Sequence, residues 1–276
     1  MYARCKNQSY ALLLTRFFVF LSPKGIMKVL YFGETNIGKT RPKNEDTFVL
    51  EEIWRGSYLL AVVIDGIGGY AGGEVAANLA ARCISEHLNE CEITSDSLEV
   101  LQAAVIYANN SICAQHHNPW LSHMGCVLTA VLINLQTGRM DVCHIGDTRV
   151  YLLENDILTK ITSDHSLVGP LEEAGEYTEL QAMKHHQRNI VTRSVGEKII
   201  QLGDDFIQTH TIELKHGTLL MCSDGLYDMV HSSKIKQILQ KPIAIEERVE
   251  KLIEAALDAG GKDNVTAIVI DIRDVL

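Results

Sequence analysis

The stretch VVIDGIGGYAGG, Val62 to Gly73, opens with apolar β-formers, ends in glycine, and carries one carboxylate, Asp65, at the junction. An acid placed where a buried strand gives way to a glycine turn is held rigidly and can face a ligand. The glycines let backbone carbonyls approach that ligand closely. Taken alone the pattern is weak, because many strand-end aspartates only cap the next helix. Its companions strengthen it: Asp46, Asp147, Asp224 and Asp263 each sit beside Gly or Asn at the edge of an apolar run. Five acids at strand ends point to one oxygen-lined cluster for hard divalent cations.

Working outward, Lys28 to Glu34, Asp46 to Glu52 and Ser57 to Ile64 read as strands. Gly73 to Glu90 has Val75, Leu79, Ile84 and Leu88 at helical spacing, and Asp96 to His116 repeats the pattern up to Asn118-Pro119. Three β runs follow, Gly125 to Leu135, Arg139 to Ile145 and Arg149 to Leu153, with Gln136-Thr137-Gly138 short enough to demand antiparallel pairing. Ser166 to Arg188 is polar and Glu-rich with weak helical periodicity, which suggests a mobile surface segment. Thr218 to Cys222 and Val265 to Ile270 read as strands, and Ala244 to Ala259 as an amphipathic helix. Antiparallel hairpins with a few long helices predict an α+β layered domain.

The chain has 276 residues, 46% hydrophobic and 22% charged, which is ordinary for a globular protein with a full core. The net charge of -10, with no Lys/Arg-rich run, argues against nucleic acid as partner or substrate. Seven cysteines without CxxC spacing read as small buried hydrophobes in a reducing cytoplasm, not as zinc ligands. Near the start, the run from Ala11 to Leu21 is interrupted by Arg16, is too short to span a bilayer, and lacks a small-residue cleavage site. Residues 1–26 are therefore expected to lie outside a folded domain covering 27–276. A membrane-associating leader is the alternative.

Seven segments, in order, resemble the metal-dependent PPM, or type 2C, serine/threonine protein phosphatases in their bacterial form. They are Arg41-x-x-Asn44-Glu45-Asp46-Thr47, Asp65-Gly66-Ile67-Gly68-Gly69 and His144-Ile145-Gly146-Asp147-Thr148-Arg149-Val150-Tyr151. Then come Ser163-Asp164-His165-Ser166, Arg188-Asn189-Ile190-Val191-Thr192-Arg193, Cys222-Ser223-Asp224-Gly225-Leu226 and Gly261-Lys262-Asp263-Asn264-Val265-Thr266. The resemblance implies a four-layer α-β-β-α sandwich, two antiparallel sheets flanked by helix pairs, with a metal site at one end. It also implies hydrolysis of phosphoserine and phosphothreonine on proteins, by direct in-line attack of a hydroxide bridging two Mn²⁺ or Mg²⁺ ions.

Carried over residue by residue, Asp65 bridges the two ions, and Asp224 and Asp263 complete the shell of the first. Glu45 and the Gly66 carbonyl hold the second, and Asp46 acts through bound water. Oxygen ligands suit both metals, and two such charges make a nucleophile available from water near neutral pH. Arg41 is the expected phosphate clamp, since a guanidinium fork matches two phosphate oxygens. Asp147, with Asp224, is a candidate ligand of a third ion, although a GDTR turn could use the acid only as a hydrogen-bond acceptor. Asp164 and His165 are expected to brace the site or the mobile segment, and Asn264 to orient neighbouring ligands. Arg193 could equally be structural.

The chain departs from the family pattern at Ile67, where eukaryotic relatives often carry a histidine that protonates the leaving alkoxide. Tyr70 replaces a histidine frequent in bacterial members, and Cys126 a small hydroxyl residue. None of these removes a metal ligand. A catalytically silent binding module and a two-metal nuclease are the competing classes; the filled acid positions speak against the first and the charge against the second. The flap is placed at Ser166 to Arg188, beside the site, where it would influence substrate choice. The expected partners are phosphorylated proteins, substrates of a serine/threonine kinase, acted on by a cytoplasmic monomer with no membrane contact.

Overall fold

Alternation with a period of two sorts the apolar residues of Tyr58–Ile67 onto two different cores. Leu60, Val62 and Ile64 enter one cluster, while Leu59, Ala61 and Val63 enter another. Such a strand is covered on both faces, which is why it reads as a continuous hydrophobic run.

The computed structural model describes residues 18–22, 25–68, 72–91, 96–197 and 206–275. Within them the strands are β1 (Phe18–Ser22), β2 (Gly25–Asn36), β3 (Asp46–Ile53), β4 (Tyr58–Ile67), β5 (Gly125–Asn134) and β6 (Arg139–Ile145). They continue with β7 (Arg149–Glu154), β8 (Ile157–Lys160), β9 (Gln208–Glu213), β10 (Gly217–Cys222) and β11 (Val265–Val275). The helices are α1 (Gly72–Glu90), α2 (Ser97–Cys113), α3 (Gly169–Glu173), α4 (Glu179–Met183), α5 (Asp224–Tyr227), α6 (Ser232–Leu239) and α7 (Ile245–Asp258).

The strands make two antiparallel sheets, ordered β3-β4-β5-β6-β9 and β1-β2-β11-β10-β7-β8. The core between them takes Val63 and Val131 from the first sheet and Tyr31, Leu219 and Ile270 from the second. The outer face of the first sheet packs on α1 and α2 through Ala80, Ile84, Leu101 and Val105. The outer face of the second packs on α6 and α7 through Ile235, Val249, Leu252 and Ile253. The result is the four-layer α-β-β-α sandwich, as expected.

Several elements differ from the sequence reading. Ser166 to Arg188 is not a featureless surface segment: it contains α3 and α4 and buries Val168 and Ala182. Asn155 and Asp156, both at positive φ, turn the chain between β7 and β8, a signal the Asn-Asp pair offered. Short β9 and α6 also went unread; each is brief and bordered by polar residues. Phe18–Ser22 pairs with β2 at the edge of the second sheet, so part of the segment 1–26 takes sheet structure. Residues 1–17 and 23–24 lie outside the described residues. So does Tyr70.

Candidate metal centre

Strand register brings the acids to one end of the sandwich. Asp46 opens β3 directly opposite Asp65 near the close of β4, and Gly66 N donates to the Glu45 carbonyl at 3.1 Å. In the other sheet Cys222, the last residue of β10, pairs with Ala267 near the start of β11 and with Arg149 at the start of β7. Asp224, Asp263 and Asp147 therefore leave strands at the same end.

Each acid has a local reason for its position. Asp46 Oδ2 accepts from Ser223 Oγ and from Thr266 Oγ1, both at 2.7 Å, so the residue after β10 and one at the start of β11 pin it. Asn264 is buried; its Oδ1 accepts from Glu45 N at 2.8 Å and its Nδ2 donates to the carbonyls of Ile37 and Lys43. Asn264 N in turn donates to Asp263 Oδ1 at 2.8 Å. One residue, Asn264, thus ties Glu45 and the 37–43 loop through its side chain and Asp263 through its backbone N–H. Gly73 leaves room where two donors meet: a Cβ there would stand 2.8 Å from both Glu45 Oε1 and the Gly66 carbonyl oxygen.

The electrostatics of these acids are those of like charges confined together. Burial first, then the charge of Asp46, Asp224, Asp147 and Asp263, pushes the Asp65 pKa well above the carboxylate range. Asp65 is the centre on which the other four aspartates act. Asp46 is pushed to about 6 by burial, despite its hydrogen bonds, and Asp224 far up by burial and then Asp147. Asp147 rises to about 7, from burial and then from Asp164. Asp224 Oδ1 is buried with no hydrogen-bond partner in the protein.

An orphaned carboxylate oxygen, four mutually repelling buried acids and an aligned carboxylate–carbonyl pair fit hard divalent cations. Among the described residues, no three acidic, imidazole or thiol side chains already stand together as a formed ion shell. Protein partners account for part of this spread. Asp263 Oδ2 accepts from Arg41 Nη2 at 2.6 Å, and Asp46 turns to Ser223 and Thr266. Arg41, paired with Asp263, has a side chain that is 45% exposed.

The bracing residues fall behind the cluster. Arg149 is buried, donates to Asp164 at 2.5 Å, to Tyr151 Oη at 2.9 Å and to Glu172 at 3.2 Å, and lies 3.6 Å from the Tyr227 ring centroid. Burial alone would raise the Asp164 pKa, but Arg149 and Lys160 outweigh it and hold the carboxyl low. Tyr227 Oη donates to the Asp147 carbonyl at 2.9 Å. His165 accepts from Gly146 N at Nδ1, and burial followed by Arg193 lowers its pKa to about 4. Arg188 donates to Asp228 at 2.5 Å, tying the end of the 166–188 segment to the residue just past α5. Ser166 Oγ accepts from Gly169 N at the other end. Sequence reasoning quoted Ser223, Thr266 and Arg149 inside motifs but gave them no part; their hydroxyls and charge make contacts that only the fold shows. Asp228, which holds the flap, was missed altogether.

Of the seven cysteines, Cys83, Cys126, Cys143 and Cys222 are buried, and Cys91 and Cys113 are half-buried. Ile67 ends β4 and offers no proton, as the sequence states.

A two-sheet sandwich with an acid-rich end and a flanking arginine is the architecture of a metal-dependent phosphatase. Residues 33–259 match the family described as Protein phosphatase 2C. The chain belongs to that family. It is 39% identical over 247 residues to the serine/threonine protein phosphatase PstP of Mycobacterium tuberculosis, covering 88% of this chain and 45% of that one. It is 32% identical over 246 residues to the serine/threonine phosphatase stp of Listeria monocytogenes, covering 87% of this chain and 94% of that one. The chain thus spans about half the length of the PstP relatives and nearly all of stp. Among solved structures, the catalytic domain of PstP in complex with two manganese ions superposes with a TM-score of 0.77 at 33% identity, covering 90% of this chain and 100% of that one.

Proposed function

We propose that the chain is a Mn²⁺- or Mg²⁺-dependent protein phosphatase acting on phosphoserine and phosphothreonine. The observation that carries the reading is the buried, unpartnered Asp224 Oδ1 in a cluster with buried Asp46 and Asp147 and half-buried Asp65. Glu45 and the Gly66 carbonyl would hold one ion, Asp224 and Asp263 a second, with Asp65 shared between them and Asp46 behind bound water. Asp147 and Asp224 would serve a third. The two manganese ions of the PstP structure support the first two of these sites. Bound there, such ions supply Lewis acidity and a nucleophile drawn from water near neutral pH.

The chain's own residues then perform the binding and orientation. Arg41, partly exposed and paired with Asp263, can turn its free guanidinium edge to two phosphate oxygens. Ser223, Thr266 and Asn264 keep Asp46, Glu45 and Asp263 in place without moving protons. Asp164 and His165 hold the 146–149 turn, and Ser166 and Arg188 fasten the two ends of the flap. No serine or cysteine nucleophile is required. The substrates we assign are proteins phosphorylated by a serine/threonine kinase, met by a monomer in the cytoplasm. Among the described residues no helix is long and apolar enough to cross a membrane.

Phosphate release from a phosphothreonine peptide, with Mn²⁺ and with chelator, tests the proposal on wild type and Asp224→Asn. Release that needs Mn²⁺ and is lost in the variant supports it. No release with any divalent ion would leave a binding module.

A further inference from the structure

Beside the acid cluster lies a groove of ≈ 560 Å³. Pro42 and Lys43, Asp46 and Thr47, and Glu74 and Asn78 on the first turns of α1 are among the residues that line it. The volume lies in the range that holds a side chain or small ligand. Its charges are one cation against two acids. The Glu74 carboxylate pairs with Lys43 at 3.6 Å, with both side chains about half exposed (46% and 52%). Such a pair is weak and easily exchanged. Asn78 uses Nδ2 on the Glu74 carbonyl at 2.8 Å, which leaves its amide oxygen as an acceptor, and Thr47 adds a hydroxyl. The groove is therefore richer in acceptors than in donors.

We propose that this groove is a subsite for the cationic side chain, Lys or Arg, of a residue flanking the phosphorylated serine or threonine, with Glu74 as its counter-ion. The inference rests on the phosphatase reading and gives it a substrate class. The incoming ammonium or guanidinium takes Glu74 from Lys43, which swings into solvent, and donates a further hydrogen bond to Asn78 Oδ1. A flanking acidic residue meets Glu74 and Asp46 and is disfavoured.

The test measures kcat/KM for three phosphothreonine peptides carrying Arg, Ala or Glu beside the phosphoresidue, on wild type, Glu74→Gln and Lys43→Gln, with p-nitrophenyl phosphate as a substrate lacking flanks. Wild type should favour Arg over Ala by about three- to fivefold, the size of one half-exposed ion pair. Glu74→Gln should erase that preference, Lys43→Gln should widen it, and p-nitrophenyl phosphate turnover should stay level throughout. A preference that survives Glu74→Gln, opposite variants shifting it the same way, or wild type favouring Glu would overturn the subsite. So would equal losses on p-nitrophenyl phosphate and the Arg peptide in Glu74→Gln, because they would make Glu74 a support for the loop. Turnover of none of the peptides would defeat the phosphatase reading itself, and the subsite with it.

Discussion

Arg41 Nη2 lies 2.6 Å from Asp263 Oδ2, joining the expected phosphate clamp to one of the expected metal acids across 222 residues of sequence. Both groups are partly open to solvent, so the pair is replaceable, and a phosphate dianion offers the guanidinium a better match than a carboxylate it already shares. Arg41→Ala is expected to lower kcat/KM on a phosphopeptide by roughly 10²-fold, mainly through KM. Arg41→Lys should recover only a minor part of the loss, because an ammonium cannot present a planar fork. Steady-state kinetics on the two variants check this.

Gly225 follows Asp224, and a Cβ there would overlap the carbonyl oxygen of Asn264. Backbone, not a flexible side chain, blocks the space, so relief requires the Asp263–Asn264 turn to shift. Gly225→Ala should destabilise the fold by about 2–3 kcal/mol and weaken Mn²⁺ binding together. Thermal unfolding alongside a manganese titration reads both effects.

Asp271 tests the pH dependence away from the metal acids. Burial alone would raise its pKa, but hydrogen bonds from Arg248 and Thr218 and the charges of Arg248 and Arg273 hold it below the ordinary 3.8. A folded-state pKa below the unfolded one stabilises at pH above about 3.8, and the gain is lost as pH falls through the folded value. Asp271→Asn should lower Tm at pH 7, where it leaves buried Arg248 without its counter-charge, by the equivalent of about 3 kcal/mol. That difference should shrink as pH is taken toward 3. Thermal melts of both proteins from pH 7 to 3 provide the check.

Much of this was legible from the sequence, for physical reasons that can be named. Strands such as β4 and β11 are apolar on both faces, and no ambiguity of period hides them. The acids stand where those strands end, so their convergence followed once antiparallel pairing was granted. What was not legible depends on tertiary contact. Ser223 looks like an ordinary turn residue and Thr266 like an ordinary strand residue until register puts both hydroxyls on Asp46. Arg149 reads as a polar strand residue, yet it is buried against Asp164 and Tyr227. Polar Ser166 to Arg188 suggested looseness because its fastenings, Arg188 to Asp228 and Glu179 to Ser232, lie on distant chain.

The amino-terminal boundary makes a further prediction. β1 occupies the sheet edge and pairs with β2 alone, whereas β2 is also held by β11 along its length. We propose that a chain starting at Met27, which lacks β1 and the first two residues of β2, keeps full phosphopeptide turnover and loses at most about 1 kcal/mol, because β11 still pairs with Met27 to Asn36. Activity and melting temperature of the shortened chain decide it.

The account turns on acids placed to hold hard cations, and Mn²⁺ titration by calorimetry addresses that most directly. Wild type should bind at least two Mn²⁺ per chain, while Asp224→Asn should lose at least one and melt a few degrees higher in chelator, relieved of a buried, unpartnered carboxylate. Undiminished Mn²⁺ binding by Asp224→Asn, or no binding by wild type, would contradict it.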